Sequence, residues 1–213
     1  MIPETLRQYV EDEIIPRYAQ FDAAHRMDHA RMVIEQSAQI VDNINAAGNT
    51  TVRHDIAYII AACHDLGLCE GRDTHHIVSA RIIRADRQLL RWFTLDEISL
   101  IADAAEDHRA SAQHAPRSIY GRIVAEADRF IDLEVIIRRT IQFGLDHYPE
   151  LPVEGHYART LEHLREKYGD GGYLNLWFPD SPNAARLEAL RVIIRQPEQL
   201  RPIFDRLWQQ LTA

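Results

Sequence analysis

Residues 59–67 read IIAACHDLG, and the way this stretch ends decides the fold. Ile56, Ile59, Ile60 and Cys63 recur at steps of three and four, the period of one face of an α-helix. The spacing predicts a helix over about 51–65. His64 and Asp65 stand where the apolar stripe would continue, and Gly67 ends it. Successive helical residues project about 100° apart, so two neighbours can serve one point only from a helix terminus. An isolated buried carboxylate is costly to desolvate, so Asp65 calls for a compensating positive group or a cation.

Outward from that helix the same periodicity recurs, and sustained two-residue alternation is hard to find, which predicts an all-α protein. Helices are expected over about 3–20 and about 27–46. The second carries Val33, Ser37, Ile40 or Val41, and Ile44 on one face, and residues 46–49 close it. A further helix is expected over about 75–88, capped by Asp73-Thr74. Another follows Thr94, where Glu97 stands three residues on as in a capping box, and it bears Ile98, Ile101 and Ala105. One more, after Pro116, carries Tyr120, Val124, Ala127 and Ile131 and continues after a break to about 145. The segments 148–155 and 169–183 read as loops, and a final helical stretch over about 184–211 is interrupted near Pro197 and Pro202.

Several ionisable residues fall on the inward stripes of these helices. His29 lies one turn before Val33, His64 one turn after Ile60, and His108 three residues after Ala105. Asp128 lies between Val124 and Ile131. One inward histidine is ordinarily a hydrogen-bonded core residue. Several converging with two carboxylates are different, because imidazole nitrogens with carboxylate oxygens are a ligand set common to Zn, Mn and Fe.

Composition excludes some classes. Acids outnumber Lys and Arg by 32 to 24, a formal net charge of -8, which leaves no electrostatic basis for binding duplex nucleic acid or an anionic membrane. A small anionic ligand remains compatible, since a bound cation reverses the local sign. The opening 18 residues hold four acids within the first 13 and no apolar core of a secretory signal, and Cys63 and Cys69 make no disulfide framework. A cytoplasmic protein is expected.

The ordered set His29, His64-Asp65, Asp128 resembles the H…HD…D signature of the HD superfamily of metal-dependent phosphohydrolases, and is closest to its small stand-alone bacterial members. The likeness spans roughly residues 20–145 and rests on three contexts: DAAHRMDHARMV at 22–33, IIAACHDLG at 59–67 and IVAEADR at 123–129. It implies a compact helical bundle as a single domain over 1–213, with its core at about 20–145 and a C-terminal helical extension at about 146–213. It implies that His29, His64, Asp65 and Asp128 hold a divalent ion (Mn, Mg, Ni, Co, Fe or Zn), with Asp65 the catalytic residue. The substrate it implies is a nucleotide-like small molecule with a phosphoester or phosphoanhydride bond. Members with two ions add histidines from the two following helices, for which His76 and His108 are the candidates here. Capping or phosphate contact is the alternative for His76.

His25, one turn ahead, competes with His29 for the first position; His29 is preferred because it precedes the apolar run of an established helix. Arg26 and Arg129 are candidates for phosphate binding or for ion pairing with the acids beside them. Glu70 and Asp73 stand where some members carry an acid. Leu68 occupies the position where nucleoside monophosphatases of the superfamily place Glu, which argues against that activity. His54, His75, His114, His147, His156 and His163 are assigned to surface or capping roles, and Cys63 to apolar packing. Two other functions share the site: a di-iron oxygenase of the same fold, and a catalytically inactive nucleotide-binding regulatory module.

Overall fold

The computed structural model describes residues 1–21, 27–48, 52–109, 114–129 and 131–212. Among them are ten α-helices and no strands, as the periodicity predicts. They form two compact units, Met1–Arg129 and Phe130–Ala213. Residues 133–145, grouped with the core by the sequence pattern, fall in the second.

The first unit holds α1 (Glu4–Tyr9), α2 (Met27–Ala46), α3 (His54–Cys63), α4 (His75–Ala85), α5 (Leu95–Glu106) and α6 (Ile119–Ala127). Its centre is α3, whose residues from Ile56 to Cys63 are all buried and which packs on α2, α5 and α6. Ile59 and Ile60 are fully buried, each worth about 1.5–3 kcal/mol of transfer free energy. An apolar helix enclosed on every side cannot slide along its axis without opening cavities, so the position of its last residue, and of His64 next to it, is fixed.

The stretch expected as one helix over 3–20 changes form along its length. After α1 it widens into a π-turn at Val10–Ile14, where the Ile15 amide donates to the Val10 carbonyl, and then tightens into a 3-10 helix at Ile15–Gln20. Pro16 is the cause, since it has no N–H to continue the α-ladder.

Two junctions set the geometry around α3. The Gly67 amide donates to Ser79 Oγ at 2.9 Å, and a Cβ at Gly67 would lie 2.0 Å from the His75 carbonyl oxygen. Only glycine lets the chain leaving α3 press against the first turn of α4. At α5, Thr94 and Glu97 form the expected capping box. Beyond its other end, the buried carboxylate of Asp107 accepts from the amide of Arg117 at 2.7 Å and from its Nε at 2.9 Å.

The second unit contains α7 (Leu133–His147), α8 (Val153–Tyr168), α9 (Pro182–Arg195) and α10 (Pro197–Thr212). Its core joins Ile137, Ile141, Leu164, Leu190, Leu200 and Phe204. The helical stretch from 184 breaks at Gln196, before Pro197, whereas Pro202 lies inside α10. Among the described residues no helix is long and apolar enough to cross a membrane.

Candidate metal centre

Five helix ends of the first unit deliver their polar residues to one place. His29 stands in the first turn of α2 and His75 opens α4. His64 and Asp65 follow α3 and Asp128 follows α6. His108 lies just past the end of α5. Three of these ends are C-termini, whose unsatisfied carbonyls carry partial negative charge and favour a cation nearby.

The side chains fall into two groups, His29, His64 and Asp128 in one and Asp65, His75 and His108 in the other, with the ligand atoms of each group within 4.8 Å of one another. Asp65 joins them. Its Oδ2 lies 3.3 Å from His64 Nε2 and 3.6 Å from His29 Nε2, while its Oδ1 lies 3.4 Å from His108 Nε2 and 3.5 Å from His75 Nε2. Asp128 Oδ1 completes the first group, 3.1 Å from His29 Nε2 and 3.6 Å from His64 Nε2. His64, Asp65 and His108 are buried, and His29, His75 and Asp128 are half-buried, so the cluster reaches from the core toward the surface.

One local device orients three of the rings. His64 Nδ1 meets the Ala61 carbonyl at 2.7 Å, His75 Nδ1 the Arg72 carbonyl at 2.6 Å, and His108 Nδ1 the Ala105 carbonyl at 2.5 Å. In each case the partner is three residues back. A carbonyl can only accept, so Nδ1 holds a proton, and Nε2 is the nitrogen left to face the carboxylates, with a lone pair in the neutral ring and as a donor when the ring is charged.

That arrangement is a test of whether a cation fits. His75 Nε2 and His108 Nε2 are 3.1 Å apart, and in the neutral rings both are acceptors. Two facing lone pairs at hydrogen-bond distance are repulsive unless a positive charge lies between or beside them. Among the described residues the ion-pair partners of Asp65 are the imidazoles of His29, His64, His75 and His108. The donor set of four imidazoles and two carboxylates therefore fits a divalent ion.

The protonation balance shows the same tension. Burial alone would push the His64 imidazole down, yet the Asp65 and Asp128 carboxylates hold it well above the usual histidine range. His29 is raised too, against its burial, by hydrogen bonds to Asp128 and Asp65. Both carboxylates sit far below the usual range, since the imidazoles outweigh their own burial. His75 runs the other way, pushed down to about 4 by burial and by the neighbouring His108.

His29, His64, Asp65 and Asp128 thus meet, as does His108. His76 does not: it belongs to neither group, and its buried Nδ1 has no hydrogen-bond partner among the described residues. His75, assigned from sequence to a surface or capping role, stands in its place. His156, given the same assignment, is buried in the second unit with its ring 4.9 Å from that of Trp208. His54 pairs with Asp42 at 3.3 Å. His25 and Arg26 lie outside the described residues. Arg129 is buried beside the charges of Asp128 and Glu126, and burial brings its guanidinium down to about 10. Glu70 is exposed and ion-paired with Arg81, and Asp73 is exposed, its carbonyl accepting from Arg109 at 2.6 Å. Cys63 is buried, and burial raises its thiol pKa.

The comparisons bear on the first unit. The HD domain family model matches residues 26–132. No curated protein and no solved structure matches the chain. The matched residues make up half of the chain and run from just before α2 to just past α6, and with them the chain belongs to the HD-domain family, a superfamily of metal-dependent phosphohydrolases.

Proposed function

We propose that this protein hydrolyses a phosphoester or phosphoanhydride bond of a nucleotide-like small molecule at a two-ion centre. In this reading His29, His64, Asp65 and Asp128 hold one divalent ion, and Asp65, His75 and His108 hold a second. The observation that carries it is the division of the Asp65 carboxylate, one oxygen facing each group. A carboxylate shared in this way is the arrangement that serves two cations at once.

Ions bound there would polarise a phosphoryl oxygen and lower the pKa of a water at neutral pH. The chain's own residues do the rest. Asp65, acceptor-only as a carboxylate, orients the attacking water or accepts its proton. His64 and His108, each held by a backbone carbonyl, keep Asp65 from rotating. In a chain of net charge -8, the positive charge of ions held at this centre would help to draw a phosphorylated ligand.

The test is a panel of nucleoside mono-, di- and triphosphates, dinucleoside polyphosphates and an aryl phosphodiester, each assayed with Mn, Mg, Co and Ni. Turnover that requires a divalent ion and disappears in Asp65→Ala is expected. An Asp65→Ala protein as active as the parent would end the reading.

A second reading is kept because the cluster is rich in imidazole, which suits iron as well as zinc or nickel: a di-iron oxygenase of the same fold. Two irons per chain in anaerobically purified protein, with dioxygen consumed on adding substrate, would establish it. Hydrolysis with Mn or Mg and no iron would remove it.

A further inference from the structure

Tyr18 lies in the 3-10 helix Ile15–Gln20, ahead of the residues that match the family model, and is fully buried. Its hydroxyl donates to the Ala62 carbonyl at 2.9 Å and accepts the Asp65 amide at 3.4 Å. These two groups flank the turn at which α3 ends: Ala62 is in its last turn, and Asp65 has already left helical geometry at φ -107°, ψ 7°. The adjoining Ala61 carbonyl is taken by His64 Nδ1. The ring of Tyr18 is held edge-on to Phe21 at 5.4 Å and lies 6.5 Å from that of His64.

A helix end leaves carbonyls without intrahelical donors, and a buried one without a partner carries its full desolvation penalty. In most proteins water or the chain that follows supplies that partner. Here it comes from a residue more than 40 positions away, through a single hydroxyl that binds both sides of the turn. His64 and Asp65 both project from this turn, so a small rotation of its backbone moves Asp65 relative to both of its imidazole groups.

We infer that Tyr18 is a positioning residue for the His64-Asp65 pair: its hydroxyl clamps the Ala62 carbonyl and the Asp65 amide and so fixes the backbone turn from which both side chains reach the ions. The inference rests on the metal-binding reading above. Loss of an outer partner that orients a ligand ordinarily weakens metal binding about 10–100-fold, and phenylalanine would remove the hydroxyl while keeping the ring.

Cobalt titration of the full chain tests this, read by visible absorption and by competition with a chelator. Tyr18→Phe should fold, bind cobalt at least about tenfold more weakly than the parent, and show a changed cobalt spectrum. Val10→Ala, buried in the same N-terminal segment, should lower the unfolding temperature while leaving cobalt affinity and spectrum as in the parent. Parent-like affinity and spectrum in Tyr18→Phe would overturn the inference. So would an equal loss of affinity in Val10→Ala, which would mark general loosening, or failure of Tyr18→Phe to fold, which would assign the hydroxyl to the fold. A parent that takes up no cobalt would instead fail the metal-binding reading itself.

Discussion

His75 and His76 are neighbours on the first turn of α4, yet only one of them faces Asp65. By sequence His76 is the candidate ligand, since it stands four residues before Ala80 and seven before Ile83 on one helical stripe, and stripe logic holds inside a helix. At the first residue it fails, because helical side chains lean back toward the N-terminus, and His75 therefore reaches past the end of its own helix to the Arg72 carbonyl and to Asp65. His64, Asp65 and Asp128 were legible for a different reason: a carboxylate or imidazole in an apolar stripe is an anomaly that reads directly. Metal analysis separates the two histidines, with His75→Ala expected to hold one ion per chain where the parent holds two, and His76→Ala expected to keep both. The raised histidines give a second test. A His whose folded pKa is raised stabilises the fold fully below its unfolded pKa of about 6.5 and loses that contribution as pH rises through the folded value. His64 and His29 are raised, so metal-free protein should become less stable as pH climbs from about 6.5 into the alkaline range. His75, with its pKa depressed to about 4, acts only below that window. Saturating metal replaces the protons and should flatten the slope. Unfolding temperatures in chelator and in manganese across this range check it; a level profile in chelator would count against the charged cluster.

Helix junctions decide which ligands can meet, and Gly67 is the most constrained of them. An added Cβ would sit 2.0 Å from the His75 carbonyl oxygen and 2.6 Å from the Ser79 amide nitrogen, both backbone atoms that cannot move without α4. Gly67→Ala should therefore cost on the order of 1–3 kcal/mol from overpacking and also push His75 away from Asp65. Loss of one of two ions together with a lower unfolding temperature is the expected pair of results. Thr94→Ala serves as control, since it removes the cap at the end of α5 remote from His108, costs about 1 kcal/mol, and should leave both ions bound. Retention of both ions in Gly67→Ala would show that the α3–α4 junction does not set the second group. The elements themselves were unevenly readable. The capping box at Thr94 and the helices α2, α3 and α5 follow from local pattern. Helix α8 does not, because its buried stripe is His156, Thr160, Leu164 and Tyr168, half of it polar and silent to an apolar period count. The N-terminal change to π- and 3-10 form depends on Pro16, whose missing N–H permits several local solutions and selects none from sequence alone.

At the scale of the whole chain, all six residues of the candidate centre come from the first compact unit, within residues 29–128, and none from the unit that begins at Phe130. Their convergence was inferred from chemistry, because buried acids must find cations; which helix ends supply them is a matter of packing around α3, and no local pattern encodes it. An ion that binds only the native arrangement stabilises whatever it ties together by mass action. Here it ties the start of α2 and of α4 to the ends of α3, α5 and α6, elements separated by up to 99 positions between His29 and Asp128. Hydrogen exchange followed by mass spectrometry, with and without manganese, should therefore show new protection in peptides covering those helix ends. Peptides from α8, α9 and α10 should exchange at the same rate in both conditions, because no described ligand lies in them. Protection appearing in the second unit on metal addition would mean that residues beyond 129 take part in the centre, and the six-residue assignment would then be incomplete.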